Sequence, residues 1–425
     1  MQGRLLLLIP TTSYRAEDFL AAAERMQVAV TVGSERASVL AQFDPAATLE
    51  LPFADSDAAV ERIAAFHASH PLTAIVGVDE GTTTIAARAS HRLGLPHNDP
   101  EAVATAGDKY RFRRCLTAAG LPQPMARLFD AADDPPAAAR QVNQYPVVLK
   151  PLALSASRGV IRADDAEQFA AAFARICRIL QETDEATGLR AAPYVLAEDY
   201  LPGGEVALEG LLIGGRLHVL AIFDKPEPME GPTFEETIFT TPSRLPRATQ
   251  DAVVRRTEAA IAALGLTDGP VHAELRLTED DGPVPLEIAA RSIGGLCGRV
   301  LRYGAGLSLE ELVLAHALGR DPGELRTDSE PAGVMMLPVP RAGRLEAVGN
   351  QGAARAVPGI VDLRITVAPG TYIRPLPEGD RYLGFLFARA ASAADVQRAL
   401  SEAAATLRVE ISAADQAPGA TEAES

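Results

Sequence analysis

The sequence predicts a multidomain protein that combines an α/β domain with α+β domains. At roughly 150 residues per domain, its 425 residues suggest about three domains. Residues 1–98 alternate short apolar runs with helical patterns, which is typical of a parallel sheet with crossover helices. From about residue 331 the chain changes to many short β segments separated by proline and glycine turns, which indicates a mixed β domain.

Composition and charge exclude several other classes of protein. Apolar residues make up 47% and charged residues 23%, which argues against a disordered chain, a collagen or a coiled coil. The net charge of −16 and an aromatic content of 5% argue against binding of polymeric nucleic acid. Cys115, Cys177 and Cys297 are far apart in the chain, so a disulfide framework and a structural zinc site are both unsupported. We therefore expect a reducing, cytoplasmic location.

The N-terminal region is interpreted as the α/β domain. Strands are predicted at 5–9, 28–32 and 74–78, and helices at 17–25 and 57–68. The first apolar run is too short for a signal sequence, and no stretch approaches the about 18 apolar residues of a membrane span. The G-x-G-x-x-G fingerprint is missing after the first strand, which argues against an NAD-dependent redox enzyme. For Asp79-Glu80-Gly81, after the third strand, a turn with a helix cap is favoured over a ligand position.

The rest of the chain alternates strands and helices. We expect a helix over 99–120 and then a stiff connector at 122–124. Further strands are predicted at 147–150, 195–198, 205–213, 217–223, 271–277, 284–289, 333–338 and 362–367. Further helices are predicted at 166–180, 250–264, 308–318 and 393–407. Residues 414–425 are small, acidic and poor in apolar side chains, so they are expected to be disordered.

Two lysines and one loop are candidates for phosphate binding. Lys109 lies inside the helix predicted over 99–120, where a lone lysine is usually solvated. Lys150 ends an apolar run, so its ammonium needs an anion or access to solvent, and a phosphate would serve. The loop 155–159, Ser-Ala-Ser-Arg-Gly, offers hydroxyls, backbone amides and a guanidinium that suit phosphate oxygens. An ordinary hairpin is the alternative interpretation of this loop.

Two glutamates indicate a divalent-cation site. Glu274 and Glu287 lie in apolar, strand-like runs joined by the turn 279–282, so a hairpin would place both on one face of adjacent strands. Two close carboxylates repel each other unless cations intervene, and Mg²⁺ commonly binds one or two carboxylates together with substrate phosphates. Arg291 follows four residues after Glu287 and precedes Gly294-Gly295. An exposed acidic hairpin is the alternative, which the apolar neighbours make less favourable.

A hinge-like break separates two further glutamates. The strand that carries Glu198 breaks at Pro202-Gly203-Gly204 and resumes at Glu205. Such a break can offer backbone groups to the edge of an adenine and a carboxylate to ribose hydroxyls. Without its neighbours in the sequence, Glu205 would be interpreted as a solvated residue at a strand edge.

The ordered set of these residues resembles the ATP-grasp superfamily of carboxylate–amine ligases, over about residues 1–413. The chain looks most like the L-amino acid ligase and carnosine synthase branch, because residues 234–243 resemble its substrate segment and residues 369–384 its closing domain. The resemblance implies an ATP-grasp fold with four parts. These are a Rossmann-like pre-ATP-grasp domain (1–98), an ATP-grasp domain (99–330), its lid subdomain (about 121–213) and a C-terminal mixed β domain of the L-amino acid ligase type (331–413).

The resemblance also implies which residues bind ATP. Lys109 and Lys150 would hold the phosphates, and the lid loop over them would include Ser155, Ser157, Arg158 and Gly159. Glu198 and the backbone of Tyr200 and Leu201 would meet adenine, and Glu205 would meet the ribose. The implied catalytic residues are Arg291, Lys150, Ser157 and Arg158.

Metal and substrate contacts follow from the same resemblance. Glu274 and Glu287 would coordinate two Mg²⁺ ions, with Mn²⁺ as an alternative metal. Arg291 would steady the transferring phosphoryl group and the later oxyanion. The expected substrate contacts are Glu236, for an amino group, and Gly294 and Gly295.

The chain departs from the family pattern at three positions. The family often has Glu-x-Asn at the second metal carboxylate, whereas here Ala289 stands in place of the asparagine. Some L-amino acid ligases have a histidine three residues after the glutamate of the substrate segment, and here that residue is Phe239. The lid loop has Ala156 between its serines, where glycine is common.

The resemblance implies an ATP-dependent, ADP-forming ligase that makes an amide or dipeptide bond through an acyl phosphate. Its partners would be a small carboxylate and a small amine, expected to be amino acids, with a homodimer left open. One alternative is a ligase for phosphorylated purine-pathway substrates, whose pocket should have extra Arg or Lys side chains for the second phosphate. Another is a non-catalytic nucleotide-binding scaffold, which the missing asparagine after Glu287 leaves open.

Overall fold

The computed structural model describes residues 3–36, 44–152, 154–187, 192–304, 306–325 and 330–413. These residues form a mixed α/β protein with four sheets, which confirms the predicted fold class. The segment 414–425, predicted to be disordered, lies outside the described residues. Within the described ranges, no helix combines the length and the apolar character needed to cross a membrane.

The N-terminal unit is a parallel sheet with helices on both faces. Its elements are β1 (Arg4–Leu8), α1 (Ala16–Arg25), β2 (Ala29–Ser34), β3 (Thr48–Glu50), α2 (Ser56–Ser69), β4 (Ala74–Gly77) and α3 (Glu80–Leu93), with strand order β3-β2-β1-β4. In β1, Leu5 and Leu7 pack into one apolar cluster and Leu6 and Leu8 into another. Because successive side chains of a strand point to opposite faces, this continuous apolar run buries both faces of the sheet.

The single helix expected over 99–120 is wrong, because two helices occupy this stretch. They are α4 (Pro100–Gly107) and α5 (Lys109–Ala118). Between them Asp108 has an extended backbone, and its carboxylate accepts hydrogen bonds from the amides of Tyr110 and Arg111. An aspartate in this role starts a new helix. Lys109 is therefore the first residue of α5 rather than a residue inside a longer helix.

A small antiparallel sheet follows, with strand order β5-β8-β6-β7. Its elements are β5 (Ala126–Asp130), α6 (Pro135–Ala139), β6 (Val147–Pro151), β7 (Ile161–Ala163), α7 (Ala166–Thr187) and β8 (Tyr194–Asp199). Phe169 and Phe173 of α7 are fully buried against this sheet. The sheet therefore has one apolar face, and it positions Lys150 at the end of β6 and Glu198 near the end of β8.

The largest sheet has eight strands and extends across the domain boundary proposed at residue 331. Its strands are β9 (Gly204–Ile213), β10 (Arg216–Lys225), β11 (Ile238–Thr241), β12 (Gly269–Thr278), β13 (Gly282–Ala289), β14 (Ala332–Leu337), β16 (Ile360–Ile365) and β18 (Gly384–Arg389). They are ordered β13-β12-β9-β10-β11-β14-β18-β16, so β14 joins the two halves by pairing with β11. Helices α8 (Arg247–Leu264) and α9 (Leu309–Ala317) and the 3-10 helix Cys297–Val300 belong to the same region.

The last elements form a three-stranded sheet with two helices. They are β15 (Gly343–Gly349), α10 (Gln351–Arg355), β17 (Tyr372–Ile373), α11 (Ala393–Thr406) and β19 (Arg408–Ser412), with strand order β17-β15-β19. Ser392 begins α11 by accepting a hydrogen bond from the amide of Asp395. Val396 and Leu400 of this helix are fully buried in an apolar cluster that also includes residues of β14 and β18.

Candidate functional site

The Glu198 carboxylate of the small sheet is paired with two cationic side chains. Arg113 of α5 donates to Glu198 Oε1 at 2.6 Å, and the Lys150 ammonium lies 2.5 Å from Oε2. Burial alone would raise the pKa of Glu198, but Arg113 and Lys150 outweigh it and lower the pKa to about 2. Arg113 also donates to the carbonyls of Pro285 and Leu286 in β13. This arginine therefore ties the small sheet to the strand that carries Glu287.

A second buried cation, Lys225, lies at the end of β10. Its Nζ lies 2.5 Å from Glu205, 2.6 Å from Glu236 and 3.2 Å from Glu274. Burial would lower the pKa of Lys225, but the glutamates outweigh it and raise that pKa. Burial and the charge of Glu274 raise the pKa of Glu236 to about 7, although Lys225 opposes this. Sequence analysis missed Lys225.

The three glutamates around Lys225 could also hold a metal ion. Glu205, Glu236 and Glu274 each offer a carboxylate oxygen, and these oxygens lie within 4.8 Å of one another. Carboxylate oxygens are the ligands that Mg²⁺ and Mn²⁺ prefer, so the donor set fits the predicted metals. We call Lys225 and these three glutamates the carboxylate cluster.

The predicted hairpin of Glu274 and Glu287 is confirmed by the strand register. β12 and β13 are antiparallel, and Glu274 is paired directly with Glu287. Glu287 lies outside the carboxylate cluster, on the side of Arg291, whose guanidinium is 3.9 Å from it. Arg291 also forms an ion pair of 2.9 Å with Glu80 at the start of α3. Burial would lower the pKa of Arg291, but Glu80 and Glu287 outweigh it and keep that pKa raised.

Glu80 brings the N-terminal unit into the site. Asp79 occupies the N-cap position of α3, as the favoured interpretation of this turn expected, but its side chain makes no capping hydrogen bond, and Glu80 is the first residue of the helix. Its carboxylate nevertheless faces Arg291, and the alternative of a ligand position stays a prediction. Burial raises the pKa of Glu80, although the charge of Arg291 opposes this. Because this contact joins residues far apart in the chain, the local pattern could not separate the two alternatives.

The loop 155–159 contacts the C-terminal part of the chain. The amide of Gly159 donates to the carbonyl of Pro377 at 3.0 Å, and Arg158 Nε donates to the carbonyl of Glu378 at 3.2 Å. Arg175 of α7 forms two hydrogen bonds, of 2.5 and 2.9 Å, with the Glu378 carboxylate. Gly159 has a φ of +72°, and a Cβ there would lie 2.9 Å from Pro151 Cγ, so both conformation and space favour glycine.

The predicted adenine and phosphate contacts have partners within the protein. The amide of Tyr200 donates to the carbonyl of Pro146 at 3.0 Å. Lys109 Nζ donates to the carbonyl of Leu154, immediately before the loop 155–159. Glu205 lies 3.6 Å from Arg276 in addition to its contact with Lys225. The predicted roles in binding adenine, phosphate and ribose stay predictions.

Gly294 and Gly295 lie where the N-terminal unit meets the large sheet. The amide of Gly295 donates to the Tyr14 hydroxyl at 2.8 Å. Gly295 has a φ of +60°, which favours glycine, and a Cβ there would displace the flexible end of the Met336 side chain. The neighbouring Arg15 donates to Ser292 and to the carbonyl of Val78. The loop after Arg291 is therefore held from the N-terminal side.

Lysine usage is a signal that sequence analysis overlooked. The chain has 40 basic residues, of which only Lys109, Lys150 and Lys225 are lysines. Lys225 follows an apolar run in β10 in the same way as Lys150 follows one in β6, but the predicted strand 217–223 stopped two residues too early. Arg113 gave no local signal, since it is one of several arginines in α5.

Comparisons with known proteins give family matches for three segments of the chain. Residues 20–97 match the ATP-grasp N-terminal domain, residues 143–300 the ATP-grasp domain and residues 335–412 the L-amino acid ligase C-terminal domain 2. An uncharacterized protein of Sinorhizobium fredii, y4rH, is 26% identical over 87% of this chain and 75% of its own length. Alanine–anticapsin ligase of Bacillus subtilis is 28% identical over 54% of this chain and 50% of its own length.

A solved structure shows the same fold. The L-amino acid ligase of Bacillus licheniformis superposes with a TM-score of 0.78 at 24% identity, over 96% of this chain and 99% of the other. The chain therefore contains an ATP-grasp domain with its N-terminal domain and an L-amino acid ligase C-terminal domain, and it is similar in sequence and fold to ATP-dependent ligases of the L-amino acid ligase type.

Proposed function

We propose that this protein uses ATP to join the carboxylate of one amino acid to the amine of another, through an acyl phosphate, with release of ADP and phosphate. A carboxylate does not condense with an amine at neutral pH, because its oxygen is a poor leaving group. Phosphorylation converts that oxygen into a good leaving group, and the step requires in-line positioning and neutralised charge. The similar alanine–anticapsin ligase, by its name, supports an amino acid as substrate.

The observation that carries the proposal is the gathering of charged side chains from distant segments around one region. Glu205, Glu236 and Glu274 surround Lys225, and Arg291 lies beside Glu287, which is paired with Glu274. Burying so many charges is unfavourable for folding unless they are paired, so their concentration points to a function.

The carboxylates of this region are suited to hold Mg²⁺. Glu274 and Glu287 are the proposed ligands, and Glu205 and Glu236 lie close enough to Glu274 to contribute. When bound, Mg²⁺ supplies charge neutralisation for the phosphates of ATP. Two ions, and Mn²⁺ as a substitute, remain predictions.

The cations would bind and orient the transferring group. Lys150 would contact the phosphates, and because it now pairs with Glu198, it would have to share that partner with ATP. Arg291 would stabilise the phosphoryl group and then the oxyanion formed when the amine attacks, and its contact with Glu80 fixes the guanidinium in place. Glu236 would receive the amino group of a substrate.

Water must be kept from an acyl phosphate, because water would hydrolyse it. The loop 155–159 is the proposed lid, and its contacts with Pro377 and Glu378 indicate that the C-terminal part of the chain helps to hold it closed. Ser155, Ser157 and Arg158 would then face the phosphates. The domain limits at 98, 330 and 413, a homodimer and a cytoplasmic location are further parts of the proposal.

The test is a matrix of amino acids, supplied in pairs with ATP and Mg²⁺. We expect ADP and phosphate release only when an acid and an amine are both present, with a product mass equal to their sum less one water. Release of ADP with either substrate alone would refute ligation. A parallel set with phosphorylated purine-pathway substrates tests the second alternative, which predicts turnover only in that set.

A further inference from the structure

A histidine that contacts Glu274 of the carboxylate cluster, and a glutamate that contacts this histidine, have no part in the proposed mechanism. Glu209 of β9 is 0% exposed and His272 of β12 is 4% exposed, and the two residues are paired directly across the antiparallel strands. His272 Nδ1 lies 3.5 Å from Glu209 Oε2, and His272 Nε2 lies 3.3 Å from Glu274 Oε1. Nδ1 makes no hydrogen bond, so its contact with Glu209 is an ion-pair contact alone, whereas Nε2 is hydrogen-bonded to Glu274; the imidazole therefore lies between a buried carboxylate and a predicted metal ligand.

Glu209 also holds the loop that carries Arg291. Its Oε2 accepts a hydrogen bond of 3.0 Å from the amide of Ile293, two residues after Arg291. Its other oxygen, Oε1, is buried without a hydrogen bond, so the carboxylate is retained despite incomplete pairing. An unsatisfied buried acceptor destabilises a fold by about 1–3 kcal/mol, which argues against a purely structural reason for keeping it.

The neighbour of His272 on the other side is Ala289. The register pairs His272 with Ala289 across β12 and β13, two residues along from the pair Glu274 and Glu287. Ala289 is the position at which the ATP-grasp pattern often has asparagine. The methyl group of alanine cannot bind a cation or hydrogen-bond to a carboxylate. At this pair of the hairpin, a polar side chain is therefore supplied by His272 of β12 and not by β13.

We propose that Glu209 and His272 form a positioning pair that orients Glu274 toward a divalent cation and links Glu274 to the Arg291 loop. This role rests on the proposed function, because it concerns the same metal. Contacts of this kind fix the orientation of a ligand, and their removal typically weakens metal affinity or activity by about 10- to 100-fold. His272 acts through Glu274 and is a positioning residue rather than a catalytic one.

The test measures Mn²⁺ binding in the presence of ADP, by electron paramagnetic resonance of the free ion. The variants are His272→Ala, His272→Gln, which keeps a donor toward Glu274, and Glu209→Gln. The matched control is His316→Ala, because His316 also pairs with a carboxylate, Asp268 at 3.0 Å, outside the carboxylate cluster. Circular dichroism and a thermal melt establish that each variant is folded.

We expect His272→Ala to weaken Mn²⁺ binding about tenfold or more, and His272→Gln to recover most of that loss. Glu209→Gln should weaken binding several-fold, and His316→Ala should leave it unchanged. Unchanged affinity in a folded His272→Ala protein would overturn the positioning role alone, as would equal losses for His272→Ala and His272→Gln. A wild-type protein that binds no Mn²⁺ with ADP would instead overturn the proposed function together with this inference.

Discussion

Replacing Lys225 by methionine tests whether one ammonium group neutralises the carboxylate cluster. The Lys225 side chain is 3% exposed. Its Nζ lies within 3.2 Å of the carboxylates of Glu205, Glu236 and Glu274. Methionine is unbranched and of similar length, so the substitution removes the charge and leaves the packing largely intact. The three carboxylates would then lose the one cation that they share, and Arg276 would remain 3.6 Å from Glu205 alone.

The loss of stability in Lys225→Met can be calculated, because a carboxylate of the cluster has to take up a proton once the ammonium group is gone. A carboxyl group with an unperturbed pKa of about 4.3 takes up a proton at pH 7 with an unfavourable free energy of about 3.7 kcal/mol. Because Glu236 already has a pKa of about 7 beside Lys225, the substitution requires a second carboxylate of the cluster to be neutralised, which destabilises the fold by about 4 kcal/mol, within the range of about 3–5 kcal/mol for removing one partner of a buried ion pair. An unfolding entropy of about 2.1 cal/mol/K per residue gives about 0.9 kcal/mol/K for 425 residues, so the melting temperature should fall by about 4–5 °C.

The pH dependence of the Lys225→Met effect has a definite sign. The carboxyl that takes up the proton has a folded-state pKa above its unfolded value. The destabilisation is therefore greatest at high pH, and it fades as the pH falls toward the unfolded pKa of about 4.3. Mg²⁺ should also restore stability, because an ion that binds only the folded state stabilises it by about 2.7 kcal/mol at 100 times its dissociation constant.

The assay is thermal unfolding followed by circular dichroism, with chelator or with excess MgCl₂. Lys225→Arg keeps the charge, and Arg247→Met removes the charge of an arginine whose side chain is 85% exposed and pairs with Asp251. Such exposed pairs contribute only about 0.3–0.5 kcal/mol, so Arg247→Met should melt almost as the wild type does. If Lys225→Met with chelator also melts with the wild type, the carboxylates do not depend on Lys225 and the reasoning fails.

Three further predictions concern acid stability, lid closure and the metal. Glu198→Gln should lower the free energy of unfolding at pH 7 by about 3 kcal/mol, because the pKa of Glu198 is lowered to about 2 in the folded protein. Urea titrations should show that the difference from wild type shrinks as the pH falls from about 5 to 2. Arg175→Ala removes a partly exposed pair with Glu378 that contributes up to about 1 kcal/mol, so the KM for ATP should rise no more than about fivefold, and high salt should erase the difference. Excess EDTA should abolish ADP release, and added Mg²⁺ or Mn²⁺ should restore it; activity that persists in EDTA would refute a metal-dependent reaction.

The sequence predicts best those parts of the site that depend on neighbours in the chain. The pairing of Glu274 with Glu287 follows from two apolar runs and a short acidic turn, because such a turn determines which residues face each other. Lys150 is predicted for the same kind of reason, since it ends a buried strand. In both cases a few local residues determine where the side chain points.

The parts that were missed depend on contacts between distant segments. Arg113 reaches Glu198 across 85 residues, and Glu80 of the N-terminal unit reaches Arg291 across 211 residues. The large sheet likewise crosses the boundary proposed at residue 331, because β11 pairs with β14. Periodicity and turn residues carry no information about which distant strands or helices become neighbours.

The rarity of lysine is a property of the whole sequence, and it indicates some of the buried site residues that local patterns do not predict. Arginine supplies all but three of the 40 basic residues, so lysine persists only at positions 109, 150 and 225. An arginine has a planar fork suited to one flat partner, whereas an ammonium is a compact point charge with three donors. The single Nζ atom of Lys225 contacts three carboxylates in a buried space. A compact ammonium group can make these three contacts, whereas a planar guanidinium group suits one flat partner. In an arginine-rich chain, the few retained lysines therefore indicate enclosed anions even where their partners cannot be predicted.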